Sequence, residues 1–313
     1  MFAPDPSQII LGCGNFGGIG SLPQLIGHGD SPVQAFKLMD QARELGLYKF
    51  DTANSYGGGQ SEEILGDWIR RQNKSYQLSV EINTKVGNHY GATKSRAPLS
   101  RREITFQLHK SLIKLGVEQI KTYYLHEPDY STPVTKTIRA LEEALKYGDI
   151  DSIGLSNVDL RYMKMFLKNC DVKTRRSVKY VQNEFHFLNQ SDRQDLIPSL
   201  VSHNISYVAF GPLAGGLLTG KYLSNKNPPP GSRLHLRPEP YQNYQTLSHQ
   251  LKIQNFITEA RTTGQAPESK ALQFILETNG ISAVVIGPRR KEHYENFGFK
   301  FPRSGNTKRF VGA

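Results

Sequence analysis

The sequence predicts a closed (β/α)8 barrel, the TIM barrel fold, and three observations lead to it. Eight short apolar runs, rich in β-branched residues and bounded by turn residues, recur along the 313-residue chain. Helical patterns separate these runs and provide the crossovers that a parallel sheet needs. No linker divides the chain, so we expect one barrel domain over residues 1–313. A doubly wound sheet would normally show a switch point and a phosphate loop.

The predicted strands and helices alternate along the chain. The strands cover residues 9–13, 48–52, 78–84, 122–126, 152–156, 180–183, 206–210 and 283–286. The helices cover residues 32–45, 61–71, 100–115, 133–146, 160–167, 192–202, 249–262, 267–278 and 289–297. Ser31 and Ser100 are helix-start signals, and Gly46 and Gly116 are stop signals. A long Gly- and Pro-rich segment, residues 213–243, follows strand seven and predicts a functional or mobile loop.

The composition excludes several classes of protein. Hydrophobic residues make up 37% and charged residues 21%, which is unlike a disordered, collagen-like or coiled-coil chain. No run reaches the roughly eighteen apolar residues of a membrane span, so no membrane partner is expected. Two cysteines are too few for a disulfide framework or a four-ligand zinc site. The first residues lack the features of a secretory signal, and a cytoplasmic location is expected.

The basic surplus does not form a nucleic-acid-binding pattern. The chain has 39 basic and 28 acidic residues, a net charge of +11. The densest clusters, residues 173–176 and 289–291, are short, far apart and not interleaved with aromatic residues. We therefore expect no nucleic-acid partner and interpret most of this charge as a solvated basic surface. The oligomeric state is left open.

Residues 12–17 read GCGNFG and match the dinucleotide-binding pattern GxGxxG by letter. That fingerprint also needs a helix that opens on its last glycine, so that the helix amides face a pyrophosphate. More glycines and Pro23 follow here, and no helix is predicted before Ser31. The segment is interpreted as a glycine-rich loop between strand and helix.

Polar side chains follow the predicted strands at the ends that meet at the mouth of such a barrel. The candidates are Asp51 with Tyr56, Lys85, His126, Ser156 with Asn157, and Gln182 with Asn183. Each alone has an ordinary explanation, such as a helix cap, a loop aromatic, a surface cation or a core histidine. Their delivery to one face by consecutive strands favours an active site. Five aromatic residues could line this mouth as an apolar pocket, although packing in the core would explain each of them equally well: Phe16, Tyr90, Phe185, Phe187 and Tyr241.

The residue types in this cluster suit the chemistry of a carbonyl group. A tyrosine with a pKa near ~10 is a weak acid unless a neighbouring cation favours its phenolate. Lys85 would be that cation, Asp51 would keep it charged, and His126 would align the carbonyl or relay a proton. No nucleophile with a partner base and no metal-ligand spacing is evident, which favours attack by a hydride from a bound cofactor.

Several sequence blocks resemble the aldo-keto reductase family across nearly the whole chain. They are residues 51–57 (DTANSYG), 60–66 (QSEEILG), 84–85 (TK), 125–126 (LH), 154–157 (GLSN), 182–184 (QNE) and 212–222 (PLAGGLLTGKY). Residues 60–66 and 125–133 are similar to the branch that includes aflatoxin-aldehyde and succinic-semialdehyde reductases. The resemblance implies an NADPH-dependent reductase of small aldehydes or ketones.

The resemblance also implies roles for individual residues. Tyr56 would be the general acid, Lys85 and Asp51 the pair that lowers its pKa, and His126 the residue that orients the carbonyl. Ser156, Asn157 and Gln182 would bind the nicotinamide carboxamide. The remaining cofactor contacts would come from Phe210, Gly211, Pro212, Leu213, Gly215, Lys221, Gly287, Arg289, His293 and Asn296. Arg289 would pair with the 2′-phosphate of NADPH.

The chain departs from the family pattern in two places. Gly211 stands where many members have serine or asparagine. The block of residues 287–296 is about one residue shorter before its Glu-Asn pair, and His293 replaces a usual glutamine. These departures concern cofactor contacts rather than the reaction.

Two other functions fit the same fold. One is a cofactor-binding regulatory or redox-sensing subunit with weak or no turnover, as the resemblance of potassium-channel β subunits to reductases suggests. The other is an isomerase or aldolase in which Lys85 forms a Schiff base. Very slow turnover with tight cofactor retention would indicate the first, and borohydride trapping of a lysine adduct the second.

Overall fold

The computed structural model describes residues 2–88, 97–223 and 227–302, and it confirms the (β/α)8 barrel. The strands are β1 Ile9–Gly12, β2 Lys49–Asp51, β3 Glu81–Val86, β4 Ile120–Leu125, β5 Ile150–Ser156, β6 Val178–Glu184, β7 Ser206–Phe210 and β8 Ile281–Ile286. They lie side by side in sequence order, and all neighbouring pairs are parallel. β1 also pairs with β8, with Ile9 opposite Val284, so the barrel is closed.

The helices lie between the strands and carry the connections. They are α1 Pro32–Glu44, α2 Gln60–Arg70, α3 Lys74–Ser79, α4 Arg101–Leu115, α5 Val134–Tyr147, α6 Leu160–Asn169, α7 Val172–Ser177, α8 Leu196–Ser202, α9 Arg233–Leu236, α10 Leu247–Thr262, α11 Pro267–Leu276 and α12 Lys291–Asn296. Short polar side chains start several of them, and Ser31 forms a capping box with Gln34. No helix in the described part of the chain is long and apolar enough to cross a membrane.

Several sequence predictions were wrong in their boundaries or missed an element. The strand predicted over residues 78–84 begins only at Glu81, because Asn73 caps α3 by accepting a hydrogen bond of 2.9 Å from the Tyr76 amide. The apolar Leu78, which suggested an early start, belongs to α3 and is exposed. The basic cluster at residues 173–176 lies on α7, a helix the sequence did not predict.

Two further corrections concern helices and also have local causes. The helix predicted over residues 192–202 divides into a 3₁₀ turn, Ser191–Arg193, and α8. Pro198 lacks an amide hydrogen and is tolerated only in the first turn of a helix, so α8 begins at Leu196. The helix predicted from residue 289 begins at Lys291, because Arg290 has an extended backbone.

The barrel interior is closed by close packing of side chains. Tyr124 on β4 is 1% exposed, and its ring fills the space beside Gly154 on β5. A Cβ atom at Gly154 would lie 2.2 Å from Tyr124 Cδ1, so only glycine fits there. The outer faces of the strands and the inner faces of the helices form the main hydrophobic core.

The segment after β7 was predicted as a long loop, and it contains helical turns. We call residues 211–246 the β7 extension, of which 224–226 lie outside the description. It comprises a 3₁₀ turn at Ala214–Thr219, the short helix α9 and a 3₁₀ turn at Glu239–Tyr244. Leu217, Leu218 and Leu234 pack with Phe256 of α10 into a second hydrophobic cluster. This cluster anchors the extension beside the barrel mouth.

Candidate active site

A cavity of about 1200 Å³ opens at the end of the barrel where the strands terminate. Every site residue predicted from the sequence lines it: Asp51, Tyr56, Lys85, His126, Ser156, Asn157, Gln182, Phe210, Gly211, Pro212, Leu213, Gly215, Lys221, Gly287, Arg289, His293 and Asn296. Asn183 is the exception among the wider candidates, since its side chain donates to Val158 O and to Asp192 instead. The strand ends therefore bring together a single large site.

Four side chains from three successive strands meet on one wall of this cavity. Asp51 is the last residue of β2, and Tyr56 begins a 3₁₀ turn five residues later. Lys85 lies on β3, and His126 follows β4 directly. The rings of Tyr56 and His126 meet edge to face with centroids 5.5 Å apart.

The ammonium group of Lys85 has three oxygen acceptors. It donates to Asp51 Oδ1, to Thr52 O at 3.0 Å and to Tyr56 Oη at 3.5 Å. An ammonium group has three protons, so this set uses all of them. Because Tyr56 Oη accepts from Lys85, its own proton is free to be donated into the cavity. A lysine held as an ammonium group has no lone pair, so Lys85 in this form cannot attack a carbonyl carbon to form a Schiff base.

Burial and pairing set the protonation of Lys85. Burial acts to lower the pKa of Lys85, but the Asp51 carboxylate and the Tyr56 oxygen more than offset it, and the pKa is raised. Gln182 Nε2 donates to Asp51 Oδ2 at 2.9 Å, so both carboxylate oxygens are occupied. The lysine is therefore a fixed positive charge beside the tyrosine.

The expectation that Lys85 and Asp51 lower the pKa of Tyr56 was right for Lys85 and wrong for Asp51. Burial raises the pKa of Tyr56, and although Lys85 opposes this, the negative charge of Asp51 adds to it. The net direction is upward. Asp51 thus acts on the tyrosine only through Lys85, whose position and charge it maintains.

His126 is a neutral imidazole in this site. Burial lowers its pKa well below the ordinary value, and the nearby charge of Lys85 lowers it further. Its Nδ1 atom is buried and finds no hydrogen-bond partner among the described residues. A neutral histidine beside a tyrosine hydroxyl can donate a hydrogen bond to a carbonyl oxygen without adding a charge.

Three polar side chains at the ends of β5 and β6 form a connected group beside this wall. Ser156 Oγ donates to Gln182 O at 2.8 Å, and Asn157 Nδ2 donates to His126 O at 2.9 Å. Asn157 has a positive φ of 56°, a strained conformation for a residue other than glycine. These contacts hold the amide groups at the cavity wall, within reach of a polar ligand.

The end of β7 and the turn after it form the opposite side. Phe210, Gly211 and Pro212 line the cavity, and Gly211 stands beside the Glu184 side chain. A Cβ atom at Gly215 would lie 2.5 Å from the Tyr241 ring, so the glycine lets the β7 extension fold back on itself. Lys221 lies in the same region, with its ammonium group 4.9 Å from the Tyr222 ring centre.

The segment after β8 contributes cations and a neutral histidine. Arg289 Nε lies 3.2 Å from Oδ1 of the buried Asp30, and the Arg289 amide donates to His293 Nδ1 at 3.1 Å. Burial lowers the pKa of His293 to about 4, and Arg290 and Lys221 act in the same direction. Asn296 donates to Glu268 at 3.3 Å. These positions fit an anionic ligand near Arg289.

Sequence reasoning missed several residues of the site. Arg233 and Arg237 of the β7 extension line the cavity, as do Glu184 and Asn15. No motif marked the two arginines, which lie in an irregular Pro-rich segment. Of five aromatic residues proposed to line the mouth, Tyr241 does so. Phe16 and Phe185 are in the core, Phe187 packs in the second cluster, and Tyr90 is outside the described residues.

The sequence profile of the Aldo/keto reductase family matches residues 8–301. The chain belongs to the aldo/keto reductase family. The family comprises oxidoreductases that act on aldehydes and ketones and that generally use NAD(P)H, and the site described above lies within the matched region.

Individual aldo/keto reductases and their relatives extend this comparison. The chain is 29% identical to L-glyceraldehyde 3-phosphate reductase of Escherichia coli K12, over 86% of this chain and 79% of that protein. It is 36% identical to human aldo-keto reductase family 7 member A3, over 57% of this chain and 52% of that protein. A glycerol dehydrogenase from Gluconobacter oxydans has a similar fold, with a TM-score of 0.75 at 23% identity, covering 93% of this chain and 85% of that one.

Proposed function

We propose that this protein reduces an aldehyde or ketone to the alcohol with NADPH, and that Tyr56 is the general acid. The observation that carries the proposal is the arrangement of Lys85, Tyr56 and His126. Lys85 donates to the tyrosine oxygen, and the tyrosine and the neutral histidine face the same cavity. The names of two relatives, L-glyceraldehyde 3-phosphate reductase and aflatoxin B1 aldehyde reductase member 2, state aldehyde substrates.

The cavity has features that fit a nicotinamide dinucleotide phosphate. Lys221, Arg261 and Arg289 line it, and of these only Arg289 is ion-paired with a described residue. Basic side chains without partners bind phosphate groups, and a glycine-rich turn lets backbone amides approach them closely. At the other end, Ser156, Asn157 and Gln182 offer the polar groups that a carboxamide would meet. Phe210 offers a flat apolar surface between them.

The reaction divides between the cofactor and the protein. NADPH supplies the hydride when it is bound. His126 donates a hydrogen bond to the substrate oxygen and aligns the carbonyl carbon. Tyr56 transfers its Oη proton to that oxygen as negative charge develops there. Lys85 stabilises the phenolate that remains, because its ammonium group already contacts this oxygen.

Asp51 and Gln182 act on this reaction through Lys85. The carboxylate fixes the position and charge of the ammonium group, and the glutamine amide fixes the carboxylate. Since burial raises the pKa of Tyr56, the tyrosine stays protonated over the physiological range. It is therefore in the acid form that reduction requires.

Arg289 supports the choice of NADPH over NADH. Its guanidinium group lies at the edge of the cavity after β8 and is 42% exposed. A planar guanidinium group can form two charge-assisted hydrogen bonds with a phosphate. NADH has an uncharged ribose hydroxyl at the position of the 2′-phosphate and could not form this pair. In this proposal the 2′-phosphate competes with Asp30 for Arg289.

The first experiment is NADPH consumption, followed by near-ultraviolet absorbance, with a reactive aromatic aldehyde such as 4-nitrobenzaldehyde. Consumption that requires both the protein and the aldehyde supports the reductase. Recovery of the alcohol in equal amount to the NADPH consumed completes the balance. Tight cofactor binding without consumption for any aldehyde tested would replace this proposal with the regulatory function.

The change Tyr56→Phe tests the general acid. We expect kcat to fall by about 10²- to 10⁴-fold, because the proton donor is lost. NADPH affinity, measured by fluorescence titration, should remain within about twofold, since the ring is retained. Tyr147→Phe, at a tyrosine that is 75% exposed on α5, is the matched control and should leave turnover unchanged. Full turnover in Tyr56→Phe would refute the assigned role.

A further inference from the structure

Arg237 lies over the Tyr56 end of the cavity. It follows α9 in the β7 extension, and its Nη1 atom is 3.3 Å from the place that a Cβ atom would take on Gly20. The Gly20 carbonyl in turn accepts from the Gly57 amide at 2.9 Å, one residue after Tyr56. The guanidinium group therefore covers the loop that borders the general acid.

The positive charge of Arg237 is not neutralised within the described part of the protein. Its guanidinium group forms no hydrogen bond or ion pair with a described residue. Its charged neighbour is Arg233, whose Nη2 donates to Asn15 Oδ1 at 2.6 Å. Burial lowers the pKa of Arg233, and although Tyr241 acts to raise it, the charge of Arg237 lowers it further. The guanidinium groups of Arg233 and Arg237 thus lie close together in the lining of one cavity.

The carboxylates that line the same cavity are engaged elsewhere. Glu184 Oε1 lies 3.3 Å from His186 Nε2, and Asn189 Nδ2 donates to the other oxygen at 3.5 Å. Asp30 is paired with Arg289, and Asp51 is held by Lys85 and Gln182. Two further carboxylates line the cavity: Glu127 accepts from Asn88 at 2.7 Å, and Glu268 accepts from Asn296 at 3.3 Å. None of the five forms an ion pair with Arg237, so an anion that enters the cavity would meet this arginine without a competing carboxylate.

The cations assigned to the cofactor occupy a different part of the cavity. Arg289 follows β8, and the charge of Lys221 acts to lower the pKa of His293 on α12. Arg289 and Arg237 both approach the loop after β1, but at different points. Arg289 pairs with Asp30, whereas Arg237 lies against Gly20, whose carbonyl accepts from the Gly57 amide beside Tyr56. A charge in this position is suited to a group on the molecule whose carbonyl meets Tyr56.

We propose that the substrate carries an anionic group, a carboxylate or a phosphate ester, and that Arg237 binds it while the carbonyl oxygen faces Tyr56 and His126. The planar fork of a guanidinium matches both anions with paired hydrogen bonds. Arg237 is then the residue that selects charged over neutral carbonyl compounds. This inference rests on the proposed reductase function and adds its substrate class.

Two matched pairs of aldehydes test the inference. The first pair is 4-carboxybenzaldehyde and its neutral methyl ester, and the second is glycolaldehyde phosphate and glycolaldehyde. The protein should prefer the anion in at least one pair, and that pair identifies the kind of anion. Arg237→Met should raise KM for the preferred anion by roughly 10- to 100-fold, the usual effect of losing a hydrogen bond to a charged group. KM for the neutral aldehyde and kcat for both should change by less than about twofold.

Two further variants separate a local role from a general one. Arg237→Lys keeps the charge and should recover part of the lost affinity, less than the full amount because lysine cannot form the paired contact. Arg102→Met removes an exposed charge from α4 and should change neither KM. Equal losses for the anion and the neutral aldehyde in Arg237→Met would overturn the inference.

If the protein is not a reductase, the anion site can still be tested by binding. If the protein reduces neither member of either pair, calorimetric titration of 4-carboxybenzaldehyde and glycolaldehyde phosphate into the NADP⁺-loaded protein replaces the kinetic test. Binding that is lost in Arg237→Met supports the anion site alone. Unchanged binding in the variant, or no preference for the anions by the unaltered protein, overturns it. Turnover of both pairs without any dependence on Arg237 leaves the reductase intact and removes only this inference.

Discussion

Lys85 stays charged although its side chain is 1% exposed. An isolated buried ammonium group would lose its proton, because burial disfavours the charged form. Here three oxygen acceptors surround it, and Asp51 brings an opposite charge. Removing Asp51 would therefore affect the tyrosine indirectly, through the charge and the position of the lysine.

His293 provides a test of local electrostatics by pH. Burial lowers its pKa to about 4, and Arg290 and Lys221 add to the effect. The folded form thus favours neutral imidazole, while the unfolded chain takes up a proton near the ordinary value of 6.5. Stability from this group is present above that value and is lost as the pH falls from 6.5 towards 4.

Nuclear magnetic resonance of the histidine rings measures this shift. The His293 ring should remain neutral down to about pH 5. Arg290→Gln removes one of the cations and should move the pKa of His293 upwards, towards the ordinary value. An unaltered His293 that titrates near 6.5 would contradict the environment described here.

At the scale of elements, β5 requires glycine at position 154. Gly154→Ala would place a methyl group 2.2 Å from the buried Tyr124 ring on the neighbouring strand. We expect the free energy of unfolding to fall by about 1–3 kcal/mol, the usual cost of overpacking a core. Denaturant unfolding measures it.

A double-mutant cycle separates this clash from a loss of strand propensity. Tyr124→Leu removes the ring, so Gly154→Ala should cost less in that background than in the unaltered protein. Equal costs in the two backgrounds would show that the ring is not the cause.

Some elements could be predicted from the sequence, and others depend on contacts that it does not reveal. β7 was predicted with its observed bounds, because Ser206–Phe210 is an apolar run between turn residues. The start of β3 was placed too early, since the apolar Leu78 belongs to α3 and faces outwards. The Asn73 cap decides that boundary. It could not be recognised from the sequence, because asparagine is equally common in turns that do not begin a helix.

The site shows the same division. Asp51, Lys85 and His126 were found because strand ends of a parallel barrel meet at one mouth. Arg233 and Arg237 were missed, because an irregular segment has no hydrophobic periodicity from which the position of its side chains could be predicted. The raised pKa of Tyr56 was missed for a different reason. It depends on how deeply the ring is buried, and burial is known only once the barrel is closed.

At the scale of the whole molecule, the two cysteines report on unfolding. Cys13 is 0% and Cys170 is 5% exposed, and both are free thiols. Burial raises the pKa of the Cys13 thiol and raises that of Cys170 to about 12. Neither should react with a bulky disulfide reagent in the native protein, because the thiolate is the reactive form.

Thiol counting with and without denaturant checks this prediction. Both thiols should react in concentrated guanidinium chloride, and in native buffer their labelling should follow opening of the fold. Cys170→Ser leaves Cys13 as the only thiol and so assigns its signal. Rapid labelling of either thiol in native buffer would be inconsistent with this packing.

The pairing of β1 with β8 also has a consequence for synthesis. The strand made first acquires its second neighbour only when residues 281–286 have left the ribosome. Until then the nascent chain is an open sheet with two unpaired edges, a form that invites association with other chains. A chain that stops before residue 281 should therefore aggregate instead of forming a smaller barrel, and a chaperone that shields the β1 edge should raise the yield of full-length protein.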